Sequence, residues 1–471
     1  MSKAEAGPGG VGAVGRAPMR RVLVANRGEI ACRVIRSCRA LGFETVAVHS
    51  EADATSMHVA EAHASEAIGG ASPAESYLRA DAVIAAARRA GADAVHPGYG
   101  FLAENAGFAH DVEAAGLTWV GPTPKSIEDM GDKERARLLA KAAGVPVLPG
   151  SARFAPGDNA GLADAAVEVG FPLLVKAAAG GGGIGMRRVD SPEGLAASVE
   201  ATQSMAQRAF GDGTVYLERF IAQARHVEVQ VFGFGDGRAI HVHERDCSVQ
   251  RRFQKIIEES PAPGISADTR ARMYAAAVSL CHQERYRGAG TIEFVLDAET
   301  ESFYFLEMNT RIQVEHPVSE MVTGLDLIAM QLLLAAGRPL PVSTQADVSS
   351  RGHAIECRLY AERPAKGFLP STGVLDRFEL PALDASLRID SGVRQGDRIT
   401  HFYDPMIAKL IAHGADRAAA IERMLDALGQ VHVEGVETNL AFLRRAIAHP
   451  AFRAGGVTTS YVDAHKAQLL G

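Results

Sequence analysis

The sequence predicts an α/β protein of about three domains: a parallel sheet with helices on both faces, a strand-rich central body, and a mixed β/α segment. Three observations predict it. The 471 residues suffice for that many domains with ample core. Over the first 120 residues short β-favouring runs alternate with helical stretches, which argues for parallel strands joined by crossover helices. From Glu307 to Glu315 every second residue is polar, the two-residue period of a strand with one polar face.

Composition narrows the function classes. A net charge of −7 offers no electrostatic footprint for nucleic acid. No apolar run approaches the ~20 residues of a membrane span and the N-terminus has no apolar leader, so a cytoplasmic protein without membrane contact is expected. The cysteines Cys32, Cys38, Cys247, Cys281 and Cys357 are odd in number and lack Cys-x-x-Cys spacing, as reduced thiols would.

Residues 1–18, mostly Ala, Gly and Pro, are expected to form a disordered tail. A first domain, 19–131, opens with a strand at 21–26, the turn Arg27-Gly28-Glu29 and a helix at 30–41. Strands at 45–48, 94–96 and 118–120 then alternate with helices at 77–90 and 105–115. The first turn is not Gly-x-Gly-x-x-Gly, so a dinucleotide site does not follow.

A central domain, 132–350, begins where Asp132 can cap a helix at 133–143 that ends at Gly144-Val-Pro146. A strand at 171–176 ends in Lys176, and Gly180-Gly-Gly182-Gly183-Ile184-Gly185 leads to a returning strand at 186–189. A lysine ahead of packed glycines suits a loop whose amides approach anionic oxygens, though no Gly-Lys-Ser/Thr follows as a Walker loop requires. Strands at 215–221 and 225–232 come next, the second with His226, Glu228 and Gln230 on one face. Arg245, Arg251, Arg252 and Lys255 fit either a solvated face or a small-anion site. Helices are expected at 267–285 and 325–336.

Between those helices, β-favouring runs at 291–296 and 303–306 flank the polar stretch 297–302 and read as a hairpin. A turn centred on Thr300 puts Glu293 directly across from Glu307. Opposed like charges destabilise a strand pair unless a hard divalent cation takes their oxygens, so Glu293, Glu307 and Asn309 form a Mg²⁺–nucleotide candidate. Continued to Glu315, the strand would align Glu307, Asn309, Arg311, Gln313 and Glu315 along a groove roughly 26 Å long.

A third domain, 351–465, opens with an alternating strand at 353–360, continues in β-type sequence to about 410, and closes with helices at 417–428 and 438–448. It has no Met-Lys-Met or similar exposed-lysine hairpin, so a prosthetic group is expected on a different polypeptide.

Ala25-Asn-Arg-Gly-Glu-Ile-Ala31, His96-Pro-Gly-Tyr-Gly-Phe-Leu-Ala-Glu-Asn105, Gly180 to Met186, Glu244-Arg-Asp-Cys-Ser248, Gln250-Arg-Arg252 and Glu307-Met-Asn-Thr-Arg-Ile-Gln-Val-Glu-His-Pro317 together resemble biotin carboxylase, an ATP-grasp enzyme. The likeness spans about residues 20–460 and is closest to a stand-alone biotin carboxylase subunit of acetyl-CoA carboxylase or a related acyl-CoA carboxylase. It implies an ATP-grasp central domain with a mobile glycine-loop lid at about 150–222. It implies a ligase that carboxylates biotin with bicarbonate and ATP through carboxyphosphate, using Mg²⁺ or Mn²⁺. Biotin would sit on a separate biotin carboxyl carrier protein, carboxyltransferase subunits would complete the assembly, and the chain would form a homodimer.

The resemblance also implies residue roles. Lys133 and Lys176 contact nucleotide phosphates, Gly182 and Gly183 belong to the lid, and Glu218, Arg219, Phe220 and Ile221 form the adenine hinge. His226 and Gln250 complete the nucleotide pocket, and Glu293, Glu307 and Asn309 hold metal. Lys255, Arg311, Gln313 and Val314 hold bicarbonate, Glu315 is the general base, and Arg358 faces the biotin ureido oxygen. Ile184 and Phe253 depart from the family, which usually carries Arg or Lys, and His or Asn, at these positions. A different ATP-grasp ligase would share the nucleotide half but not Lys255, Gln313 and Arg358 together; a catalytically silent subunit finds support only in Ile184 and Phe253.

Overall fold

The computed structural model describes residues 18–178 and 185–471. The expected tail, apart from Pro18, and Gly182, Gly183 and Ile184 lie outside those residues.

The first unit is a five-stranded parallel sheet of β1 (Arg21–Val24), β2 (Glu44–Ser50), β3 (Ala64–Gly69), β4 (Ala94–His96) and β5 (Thr118–Trp119), ordered β3-β2-β1-β4-β5. Helix α1 (Gly28–Ala40) follows β1 directly, as the βα alternation requires. Strand β3 escapes sequence reading because Ala64-Ser-Glu-Ala-Ile-Gly69 holds a single large apolar residue, Ile68, which alone is buried on this edge.

Helix α2 (Lys133–Ala142) starts as expected, the Asp132 side chain accepting the amide of Arg135. It leads to a four-stranded antiparallel sheet of β6 (Gly150–Phe154), β7 (Leu173–Ala177), β8 (Met186–Val189) and β9 (Val215–Arg219), ordered β6-β9-β7-β8. Helices α3 (Leu162–Val169) and α4 (Leu195–Phe210) close a small separate core over Leu173, Val175, Val215 and Leu217.

The main frame is an eight-stranded antiparallel sheet. It comprises β10 (Ala224–Phe234), β11 (Ala239–Arg251), β12 (Gln254–Ser260), β13 (Arg287–Asp297), β14 (Phe303–Asn309), β15 (His353–Tyr360), β16 (Leu387–Ser391) and β17 (Met406–Gly414). Their order is β14-β13-β10-β11-β12-β15-β17-β16, so strands on both sides of residue 350 share one ladder. Helix α5 (Ala267–Gln283) packs on the β10, β13 and β14 end, and α7 (Arg417–Gly429) with α8 (Leu440–Ala448) on the β15 and β17 end. Strand β15 is buried on both faces: Ile355, Cys357 and Leu359 join the core under α7 and α8, while Ala354 packs under helix α6 (His316–Thr323). No single helix among the described residues is long and apolar enough to cross a membrane; α6 and Leu327–Ala335 pass that test only together, bent by 94°.

Two details correct the sequence reading. Strand β14 stops at Asn309 rather than Glu315; Pro317 in the first turn of α6 starts a helix that ends the extended run. The hairpin turn is also centred half a residue earlier than Thr300, because Leu296 pairs with Phe303 and Phe294 with Phe305. A bulge then inserts Leu306, and beyond it Glu293 does lie opposite Glu307 and Thr291 opposite Asn309.

Candidate active site

The ladder registers bring the charged residues into lateral rows. Glu307 on β14, Glu293 on β13, Glu228 on β10 and Arg245 on β11 are successive direct neighbours across four strands. Three carboxylates side by side would repel strongly without cations. Arg245, completely buried, supplies one: its five N–H groups reach Glu228 (2.5 Å), Gln230 (2.6 Å), Ser319 (3.1 Å), Thr291 (3.0 Å) and Gln313 (2.7 Å). Lys255 supplies the other, its Nζ lying 2.6 Å from Glu228, 2.7 Å from Glu293 and 2.7 Å from Glu315.

Lys255 stands on β12, with β11 and β10 between it and β13. Three spacings of about 4.8 Å separate those backbones, roughly 14 Å in all, so the two long side chains lean towards each other over the intervening strands.

The pKa directions follow from this placement. Burial works against ionising Glu293, but Lys255 and His226 outweigh it and hold its carboxyl well below the usual range. Glu307 is displaced upward, first by burial and then by Glu293, while Lys133, at the start of α2, pulls the other way. Among the described residues nothing donates a hydrogen bond to Glu307 in this arrangement. A divalent cation between Glu293 and Glu307 fits two hard carboxylates; Asn309 donates its amide N–H to Glu293 and its Oδ1 accepts from Arg311, so it would join them only by turning that oxygen towards the ion. His226, Glu228 and Glu293 also lie close enough to share an ion, but Lys255 already bridges Glu228 and Glu293 there.

The nucleotide-side residues divide between two sheets. His226 Nε2 is 2.8 Å from Glu293 Oε2, and its Nδ1 meets the Gln250 amide at 2.8 Å. Lys176 lies instead in the small sheet, bound to Glu218 at 2.7 Å and near the Tyr216 ring. Arg219 donates to the Val169 carbonyl, the Phe220 amide to Pro172 at 3.1 Å, and the Phe220 ring lies under Arg188. Ile221 is half-buried just after β9.

Past the end of β14, the side chains expected in one row fan out. Arg311 donates to Glu104 (2.9 Å) and Asn309 (2.8 Å) rather than pointing along the strand, and Gln313 turns inward to Glu293 (2.7 Å) and Arg245. The Val314 carbonyl accepts Lys409 Nζ at 2.7 Å. Glu315, beside the start of α6, places one oxygen on Lys255 and the other 3.0 Å from Arg358 Nη2. Burial alone would raise Glu315, yet Lys255 and Arg358 hold it far below the usual carboxylate range. Phe253 stands 72 % exposed at the β11–β12 turn, with a left-handed backbone (φ 68°) shared by Arg252.

Sequence reasoning left Arg245 among four cations of undecided role and gave Glu228 no role. Their signal was present: Glu228 sits on the polar face of an alternating strand, and an arginine opposite it needs only the β10–β11 register. Thr291, Ser319 and Glu104 carried no comparable signal.

Three family descriptions match the chain: biotin carboxylase N-terminal domain over residues 18–127, carbamoyl-phosphate synthase L chain ATP-binding domain over 132–343, and biotin carboxylase C-terminal domain over 356–464. It is 49 % identical over 445 residues to the biotin carboxylase of Pseudomonas aeruginosa, covering 94 % of this chain and 98 % of that one. It is 48 % identical over 452 residues to the mitochondrial methylcrotonoyl-CoA carboxylase subunit alpha of Glycine max; the match takes 96 % of this chain but spans only 61 % of that relative's length. The solved biotin carboxylase domain dimer of Hydrogenobacter thermophilus 2-oxoglutarate carboxylase, in complex with MgADP, ADP and bicarbonate, superposes with a TM-score of 0.87 at 43 % identity, covering 96 % and 99 % of the two chains. The chain belongs to the biotin carboxylase family.

Proposed function

We propose that the chain carboxylates biotin with bicarbonate and ATP, through carboxyphosphate, on biotin presented by a separate carrier protein. The observation that carries this reading is that Lys255 joins two chemically different ends of one pocket. On one side is the opposed Glu293–Glu307 pair with His226 and Gln250; on the other are Glu315 and Arg358.

ATP is taken with its phosphates towards Glu293, Glu307 and Asn309, and Mg²⁺ or Mn²⁺ on those three would neutralise phosphate charge. Lys133, Lys176, Gly182 and Gly183 act on the phosphates, and Glu218, Arg219, Phe220 and Ile221 on the base. Bicarbonate engages Lys255, Arg311, Gln313 and the backbone at Val314. With Lys255 on one oxygen and Arg358 on the other, Glu315 is firmly ionised and a poor base; an anion that draws Lys255 away restores its basicity. Glu315 then takes the bicarbonate proton, the carbonate oxygen attacks the γ-phosphoryl, and ADP leaves. Carboxyphosphate then parts into CO2 and phosphate, the phosphate takes the proton of biotin N1, Arg358 stabilises the negative charge on the ureido oxygen, and N1 bonds to the CO2 carbon.

The same reading places the reaction in the cytoplasm, within a homodimer that works with a carrier and carboxyltransferase subunits. Relatives are named for methylcrotonoyl-CoA, 2-oxoglutarate, pyruvate and urea carboxylases, which is why the first half-reaction, and no particular acceptor, is proposed here. ADP release by the purified chain with Mg-ATP, with and without bicarbonate and free biotin, tests it. Turnover that needs bicarbonate and rises with biotin is expected; turnover indifferent to both would replace it with another ATP-dependent ligation.

A further inference from the structure

A second pair of glutamates faces across the same sheet, away from the nucleotide end. The β12–β15 register sets Glu258 directly opposite Glu356. Both are fully buried, on the face covered by α6, and none of their four carboxylate oxygens has a hydrogen-bond partner among the described residues. Directly opposed residues hold their Cβ atoms about 5 Å apart, close enough for carboxyl groups to meet. The nearest cation is Arg358, two residues along β15 on the same face. Its Nη2 lies 2.5 Å from Glu258 Oε1, off the axis of a hydrogen bond, and 3.0 Å from Glu315 Oε2 with good direction.

The other charged groups that bear on the pair are few. Lys409, opposite Arg358 on β17, is tied to the Val314 carbonyl and lies 3.3 Å from Glu29; Lys255 on β12 is tied to Glu228, Glu293 and Glu315. Glu315 adds a third negative charge, and buried His316 stays neutral. One guanidinium therefore faces three carboxyl groups. Two carboxylates so close in a dry interior cannot both ionise. Burial pushes Glu258 up to about 7 and Glu356 well above the carboxylate range.

We infer that Glu258 and Glu356 are a proton-sharing pair that positions Arg358: with Glu258 protonated, the guanidinium stays with Glu315 and the acceptor, and with Glu258 ionised it is drawn back into the sheet. Both glutamates are positioning residues, since they act through Arg358. The inference rests on the proposed role of Arg358 towards biotin.

Infrared spectroscopy of the purified chain between pH 5 and 9, beside biotin-stimulated ADP release over the same range, tests it with Glu258→Gln and Glu356→Gln. A protonated-carboxyl band at neutral pH that weakens in either variant is expected. The wild-type biotin-dependent rate is expected to fall above about pH 7, and Glu258→Gln to flatten that limb while leaving the KM for ATP within twofold. A band unchanged in both variants, or an alkaline limb that persists unshifted in Glu258→Gln, would overturn the inference. If the wild-type chain shows no response to biotin, the proposed function fails, while the infrared band still decides whether the pair holds a proton. Should one variant not fold, the wild-type band and the other variant decide it.

Discussion

Two glutamate pairs oppose one another in the same sheet, and the sheet handles them in opposite ways. Glu293 and Glu307, on β13 and β14 at its edge, are flanked by Lys255 and His226. Glu258 and Glu356, on β12 and β15 near its centre, are sealed under α6 with a single shared arginine. The cross-strand geometry is the same. What differs is how many cations reach each pair, which is why a metal is proposed at one and a shared proton at the other.

Substitutions can break or sharpen this contrast. The largest effect is expected from Lys255→Met, which strips the cation from three buried carboxylates. We expect a stability loss of about 3–5 kcal/mol by chemical denaturation, together with loss of bicarbonate-dependent turnover. Wild-type stability in this variant would mean the carboxylates do not depend on Lys255. Glu315→Gln should lower bicarbonate-dependent ADP release roughly 10²–10⁴-fold while calorimetry finds ATP binding unchanged, separating the base from the nucleotide end. Glu307→Gln should weaken Mg²⁺ activation by about 100-fold, read from a metal titration; an unaltered titration would remove the edge pair from metal binding.

The smallest effect belongs to the central pair. Glu258 is raised to about 7 in the folded chain, above its unfolded value. Its protonated form therefore stabilises fully below the ordinary carboxylate range, and that contribution is lost as pH rises through about 7. Glu258→Gln cannot lose a proton, so its melting temperature should exceed wild type by roughly 2–4 °C at pH 8 and converge with it at pH 5. A constant difference across that range would assign the effect to packing instead.

What the sequence disclosed follows the reach of each contact. Glu293 and Glu307 belong to one hairpin, so a local turn estimate located their pairing, helped by a bulge at Leu306 that compensated a half-residue error. The capped start of α2 was likewise local. The end of β14 was misplaced because alternation in Arg311, Gln313 and Glu315 imitates a strand, whereas these side chains are drawn to Glu104, Glu293 and Lys255, respectively. The Glu258–Glu356 pairing joins strands nearly 100 residues apart, and no local period encodes it. Lys255 was named through the resemblance alone, and its three partners stayed hidden for the same reason: they come from β10, β13 and the approach to α6.

The curl of the eight-stranded sheet makes the site a mechanical object. Lys255 and Glu293 meet across two intervening strands, so their separation responds to how the ladder twists and bends. A load applied at β17 would be felt at the site, since Lys409 on that strand faces Arg358 and holds the Val314 carbonyl. The outer strands of this frame thus have leverage over the site, carried by the contacts from Lys409 to Val314 and from Arg358 to Glu315.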